Sequence, residues 1–243
     1  MLFEAPLECI SKVYFSESWF DAHAEELLLK YGIEADSASS AHFEASAPFE
    51  YEVMQDNIFR AVSDTENPQG VLLIVRRQEA SLDELLDAEA PLLVFLESLQ
   101  DPGNLGTIFR TAEGAGATGI IIGGNCVDLY NPKTVRSTMG SIYRVPFCKA
   151  PETRAALSKI HAAGITSYAA HLHAEYCYDE ADYTKGTVFI IGNESAGISD
   201  ALSSASDRLI KIPMEGRLES LNASIAAALL MYEAQRQRRN MHR

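Results

Sequence analysis

The sequence predicts an α/β protein whose larger part is a parallel sheet with helices on both faces, preceded by a smaller α/β domain. Three observations carry this. From residue 91 onward, short apolar runs alternate with helical segments of about ten to fifteen residues, the pattern of strand–helix–strand units. The run LLVFL at Leu92–Leu96 is apolar at every position, as a strand covered on both faces requires. Charge divides the chain at the same place. Residues 1–90 carry 5 Lys and Arg against 19 Asp and Glu, and residues 91–243 carry 15 of each, so the whole formal charge of -14 sits in the first part.

In the first part, residues 10–15 read as a strand. Residues 19–31 read as one amphipathic helix with Phe20, Ala24, Leu27 and Leu28 on a common face, and 51–61 as a second helix. GVLLIVR at 70–76 reads as a buried strand, entered through the turn-forming Asn67-Pro68-Gln69-Gly70. An acidic stretch at 81–88 ends before Pro91, which places a linker near 80–90 and domains at 1–85 and 91–243. In the second part, strands are expected at 92–96, 118–122, 145–148, 166–170, 188–192 and 207–212. Helices are expected at 103–115, 132–142, 151–163 and 221–239.

At 243 residues, 47% apolar and 22% charged, the chain can bury a sizeable core without disulfides or metal, which excludes disordered, collagenous and fibrous classes. Its acidity argues against a protein that holds nucleic acid by bulk positive charge. Cys9, Cys126, Cys148 and Cys177 form no close pair and no metal-ligand spacing, and they read as reduced thiols of a cytoplasmic protein. No apolar run approaches the ~20 residues of a membrane span, so no membrane is expected. The first residues also lack the basic-then-apolar order of a signal peptide.

Ligands of a parallel sheet bind beyond the carboxyl ends of its strands, and three loops in that position are rich in small and polar residues. The first is Gln100-Asp101-Pro102-Gly103-Asn104-Leu105-Gly106, where Asp101 can cap the following helix. Arg110 lies about two turns in, on one face with Gly106, which leaves room beside it. A surface ion pair is the plain alternative for this arginine. The second is Gly192-Asn193-Glu194-Ser195-Ala196-Gly197, and the third runs from Ile212-Pro213-Met214 to Ser220-Leu221-Asn222. There Ser220 and Asn222 both suit a helix cap. Neither the dinucleotide fingerprint nor a Gly-Lys-Ser/Thr phosphate loop occurs, so hydride transfer and nucleotide hydrolysis lack their usual support.

Taken together, DPGNLGTIFRTAEGAG, FIIGNESAGIS and IPMEGRLESLNASIAAALLMYE resemble the three signature motifs of the SpoU (TrmH-like) RNA ribose 2'-O-methyltransferases. Their order and spacing match, as does the intermediate segment NPKTVRSTMGS at 131–141. The resemblance covers residues 92–237. Residues 1–90 resemble, more loosely, the small ribosomal-protein-like RNA-binding domain that precedes this catalytic domain in many members. It implies a SPOUT fold with a C-terminal trefoil knot, S-adenosylmethionine as methyl donor, no metal, and a homodimer. By position, donor contacts fall on Gly192, Ile212, Met214 and Leu221, and ribose-handling roles on Asn104, Arg110, Glu194, Ser220 and Asn222. Two departures stand out. Ser195 replaces a common glycine, and the first domain starts later than in relatives, which carry a further helix and strand.

A ribose hydroxyl is a poor nucleophile, so the enzyme must align it with the methyl group and help its proton leave. The resemblance makes Arg110 the proton acceptor. As a lasting cation it is equally suited to hold the neighbouring phosphate and stabilise charge developing on the oxygen, with Asn104 and Glu194 fixing it. Lys133 and Arg136, one helical turn apart, are candidate RNA contacts, as is the tail of Arg236, Arg238, Arg239 and Arg243. His171 and His173 flank Leu172 without a third ligand, against a metal site. Ribosomal RNA is the expected partner rather than tRNA. The competing classes are a catalytically inactive RNA-binding protein of the same fold and a tRNA-directed or base-directed knotted methyltransferase.

Overall fold

The computed structural model describes residues 4–33, 48–63, 65–218 and 220–241, so Arg243 of the basic tail lies outside it. The chain divides into two units between Gln78 and Glu79.

The first unit contains β1 (Ile10–Ser16), α1 (Glu17–Ala22), α2 (Ala24–Tyr31), β2 (Glu50–Met54), α3 (Asp56–Val62) and β3 (Val71–Val75). The strand order is β2-β1-β3, with β1 parallel to β2 and antiparallel to β3. Val13 and Phe15 of β1 are fully buried, as are Phe20 and Leu27, and Phe15 packs against Tyr51 at 6.2 Å. Two expectations fail here. The helix expected over 19–31 is broken at His23, whose ring stacks on Trp19 at 4.0 Å and whose Nδ1 meets the Trp19 carbonyl at 2.8 Å. Leu28 consequently faces solvent. The helix expected over 51–61 begins as strand β2, because Tyr51 is buried by pairing with β1 and only residues from Asp56 onward turn helical.

The second unit contains α4 (Leu82–Leu86), β4 (Leu92–Leu96), α5 (Pro102–Ala115), β5 (Gly119–Gly123), α6 (Pro132–Thr138), β6 (Phe147–Ala150) and α7 (Thr153–Ala162). It continues through β7 (Thr166–Ala170), β8 (Tyr176–Cys177), β9 (Thr187–Ile191), α8 (Asp200–Ala205), β10 (Arg208–Lys211) and α9 (Ala223–Met241). The sheet order is β6-β5-β4-β9-β7-β10-β8, and every pairing is parallel. Side chains alternate across it. Leu92, Val94 and Leu96 join Leu105, Ile108 and Phe109 of α5 and Ala227, Leu230 and Met231 of α9 in one core. Leu93 and Phe95 join Leu85 of α4, Leu157 and Ile160 of α7 and Leu202 of α8 in the other. Every position of β4, flanked on both sides in this way, is buried and apolar, which is why its run was legible.

The stretch near 80–90 is not a free linker. Ser81 and Glu84 form a reciprocal capping box for α4, and Leu85 is buried in the second unit's core. The helix expected over 132–142 stops at Thr138, because Met139 and Gly140 adopt left-handed backbone (φ 51° and 85°) before a single 3₁₀ turn at 141–143. Strand β8 and helix α8 had no counterpart among the expected elements. Two residues are too few for a periodic signal, and α8 is marked mainly by its Ser199 cap.

Helices α5 and α6 pack closely, and Gly106 is the reason. A Cβ there would lie 1.8 Å from Ser137 Oγ and 2.9 Å from the Ser137 carbonyl carbon. The room at Gly106 therefore serves α6, not Arg110 as expected. The C-terminal arginines are likewise largely committed. Arg238 donates to the carbonyls of Tyr183, Ala90, Pro91 and Lys185, and Arg236 pairs with Glu233 at 2.7 Å. Gly106→Ala is expected to lower stability by about 1–3 kcal/mol through overpacking. Urea unfolding checks this against Gly216→Ala, where nothing lies within 4 Å and little change is expected.

Candidate active site

Strand order reverses between β4 and β9, the place where open parallel sheets leave a crevice. The loops after β4 and β9 leave the sheet side by side there, and the segment before α9 joins them.

Asp101 caps α5, its Oδ1 accepting the Asn104 N–H at 2.7 Å. That cap turns Asn104, in the first turn of α5, toward the neighbouring loop. Glu194 Oε1 accepts the Asn104 side-chain amide at 3.0 Å and the Asp101 N–H at 3.2 Å. Its Oε2 accepts the Gln100 N–H at 3.2 Å. Asn104 Oδ1 in turn accepts the Asn222 amide at 2.9 Å. Asn222 Oδ1 caps α9, accepting from Ser224 N–H at 2.9 Å and Ser224 Oγ at 2.7 Å. One chain of hydrogen bonds thus runs Glu194–Asn104–Asn222 and touches all three loops. Burial pushes the Glu194 carboxyl up, but the hydrogen bonds from Asn104 and from backbone N–H groups outweigh it and hold it below its ordinary value.

A second set of contacts fixes the middle loop. Asn193 donates to the Ser98 carbonyl at 2.9 Å and accepts the N–H groups of Ser195 and Ala196, each at 2.9 Å. Its backbone pairs with Gly197 in both directions. Gly192 is required by this closure, since a Cβ would lie 2.2 Å from the Gly197 carbonyl carbon. Beneath the loop, Glu97 is only 9% exposed and accepts Ser199 N–H at 2.8 Å and Ser199 Oγ at 2.7 Å. Sequence reasoning missed Glu97. The available signal was a carboxylate abutting the apolar run of β4, where a charge has to find partners.

The structure brings Asn104, Glu194 and Asn222 together but does not attach Arg110 to them. Arg110 is exposed on α5, and no carboxylate among the described residues pairs with it. The expected fixing of Arg110 by Asn104 and Glu194 is replaced by the chain of bonds above. Lys133 and Arg136 are exposed on α6. Ser220 is exposed and is not the cap of α9; Asn222 has that role, which is why the helix starts at Ala223. Ile212, Met214 and Leu221 are half-buried, with Gly192 beside β9. Between Pro213 and Leu221, no backbone N–H or C=O of the described residues is spent on a hydrogen bond within the chain. His171 Nδ1 accepts the His173 N–H at 3.2 Å, and the described residues contain no cluster of three or more potential metal ligands.

The family model of the SpoU rRNA Methylase family matches residues 91–232. The chain belongs to this family. All the tied loops lie inside the matched SpoU region. Among SpoU relatives, the 23S rRNA (guanosine(2553)-2'-O)-methyltransferase RlmP of Bacillus subtilis is 33% identical over 74% of this chain and 70% of its own length. The 23S rRNA (uridine(2479)-2'-O)-methyltransferase of Streptomyces viridochromogenes is 36% identical over 71% of this chain and 62% of its own. An AdoMet-bound rRNA methyltransferase from Sinorhizobium meliloti has a similar structure, with TM-score 0.77 and 32% identity over 93% of this chain and 80% of that one.

The depressed Glu194 carboxyl fixes a pH dependence for the SpoU loops. Its contribution is complete above the unfolded-state value near ~4.3 and is lost as pH falls through the lower folded value. Glu194→Gln keeps one acceptor oxygen and sets its NH2 either against the Gln100 N–H or against the Asp101 N–H and the Asn104 amide, so at pH 7 it is expected to melt about 2–4 °C below the parent protein. Thermal melts from pH 7 to pH 3 are expected to show that gap closing in acid.

Proposed function

We propose that this chain methylates a ribose 2'-hydroxyl in ribosomal RNA, using S-adenosylmethionine as donor. The observation that carries the reading is the Glu194–Asn104–Asn222 chain, which assembles the three loops of the matched family region into one site. The relatives' printed activities, on a guanosine and on a uridine of 23S rRNA, support the ribose as the shared target, since the base differs between them.

The residues suit the donor. A nucleoside joined to a charged amino acid needs backbone donors and acceptors for its base edge and apolar walls for its ring. The unspent backbone of the described residues between 213 and 221, with Ile212, Met214 and Leu221 half-buried and Gly192 alongside, supplies both. When bound, S-adenosylmethionine brings a methyl group already activated by its positive sulfur, so the reading needs no metal. Glu194, Asn104 and Asn222 hold the loops in register and present the ribose side of the site, with Ser220 at its rim. Arg110, with no ion-pair partner among the described residues, takes the phosphate beside the target ribose and stabilises charge developing on the 2'-oxygen as its proton leaves. Lys133 and Arg136 extend this positive surface along α6.

The reading includes a trefoil knot in the C-terminal segment, supported by family membership. It also includes a homodimer. Ile225, Leu229 and Tyr232 lie at i, i+4 and i+7 on α9 and are exposed, an apolar stripe suited to a second copy. Residues 1–78 serve as a substrate-binding domain and 79–243 as the catalytic domain. The four free cysteines support a cytoplasmic setting. No helix among the described residues is long and apolar enough to cross a membrane.

Arg110→Ala is expected to bind donor normally and RNA more weakly, and at saturating RNA to transfer methyl at least about 100-fold more slowly. Labelled-methyl transfer to unmodified ribosomal RNA and tRNA measures the rate. Nuclease digestion with mass spectrometry then locates the group. A methyl found on a base, or a preference for tRNA, contradicts the reading, as does transfer at the parent rate by Arg110→Ala.

A further inference from the structure

Resting on the RNA-directed reading above, we propose that Met139 is a target-RNA contact, an apolar side chain on which an unstacked base rests beside the ribose held at Arg110. Met139 is 66% exposed. Its backbone is left-handed with φ 51°, a conformation that glycine adopts at far lower cost. Stability alone favours neither the conformation nor the exposure.

The turn carrying Met139 is held firmly. Glu113 of α5 accepts Ser141 Oγ at 2.6 Å and Arg144 Nη2 at 3.0 Å, and Arg144 Nε donates to its other oxygen at 2.5 Å. Arg144 also donates to the Met139 carbonyl at 3.3 Å, and Ser141 is buried. The Arg144 hydrogen bond, followed by that of Ser141, holds the Glu113 carboxyl below its ordinary value.

This clamp places Met139 against the site. Helix α5 meets Ser137 at Gly106 and Ser141 at Glu113. Residues 138–140 therefore run past the intervening turn of α5, which carries Arg110. Arg136 precedes Met139 by one turn, its carbonyl accepting the Met139 N–H at 3.3 Å. Exposed Met139 thus follows Arg136 and Lys133 of α6 and lies along the turn of α5 that carries Arg110, and none of these three cations has an ion-pair partner among the described residues. Cations around an apolar platform match a nucleotide, with phosphate for the arginines and a base face for the thioether. They do not match an apolar protein surface, whose burial would strand three charges.

Met139→Gly separates the contact from any structural role, because glycine relieves the left-handed backbone while deleting the side chain. The variant is expected to melt no lower than the parent. Its Kd for unmodified ribosomal RNA, measured by filter binding, is expected to rise on the order of tenfold with donor affinity unchanged. Met139→Leu is expected to restore RNA binding to within about twofold, since it returns apolar bulk. Unchanged RNA affinity in Met139→Gly would overturn the proposal. So would a loss of self-association, seen by sedimentation, without a change in RNA affinity, since Met139 would then cover a second copy. Because binding is read apart from turnover, a parent protein that binds RNA without methylating it counts against the functional reading and leaves this test intact.

Discussion

Three loops leave the sheet at different points of the chain, and what makes them one site is the Glu194 carboxylate. Alone it gains two backbone N–H groups and one side-chain amide, more donors than an exposed turn carboxylate normally meets. Through Asn104 the constraint reaches Asn222, which also caps α9. Fixing the first residues of that helix fixes where the preceding loop ends. The apolar cores on both faces of the sheet hold the strands, but they set only the height at which the loops emerge. Registering the loops against one another depends on polar contacts at the surface, made between residues 90 to 118 positions apart in the chain.

Beneath this chain lies a second, buried one. Glu97 grips Ser199 and Asn193 grips the Ser98 carbonyl, so the middle loop is closed from below as well as tied from the side. The left-handed backbone of Ser98 (φ 56°) belongs to the same arrangement, because it turns that carbonyl toward its donor. Arg110 stands outside both chains. That no carboxylate among the described residues pairs with it suits its proposed task, since a cation already neutralised within the protein would have little left for a phosphate.

The sheet was largely legible in the sequence: 92–96 and 166–170 carry the expected bounds unchanged, the first because a strand covered on both faces leaves an uninterrupted apolar run. The three loops were legible from their small and polar residues placed after such runs. What escaped was set by contacts between distant residues. EYEVM is a strand only because β1 lies beside it, and the helix through His23 breaks where its ring folds back on Trp19. Asn222, not Ser220, caps α9 because its amide also reaches Asn104. The acidity of residues 1–90 was visible at once. The structure shows that the basic tail offers less to RNA than its composition promised, since Arg238 is spent on four carbonyls and Arg236 on Glu233.

The central claim is that Glu194 and Asn222, which share no contact, are coupled through Asn104. A double-mutant cycle of Glu194→Gln and Asn222→Ser tests it most directly, serine being chosen because it keeps a helix cap but cannot reach Asn104. Unfolding free energies of the two single variants and the double variant give the coupling. The account predicts an interaction energy of at least ~0.5 kcal/mol, with the second substitution costing less once the first is made. Effects that add within ~0.3 kcal/mol would contradict it, because the loops would then be held independently.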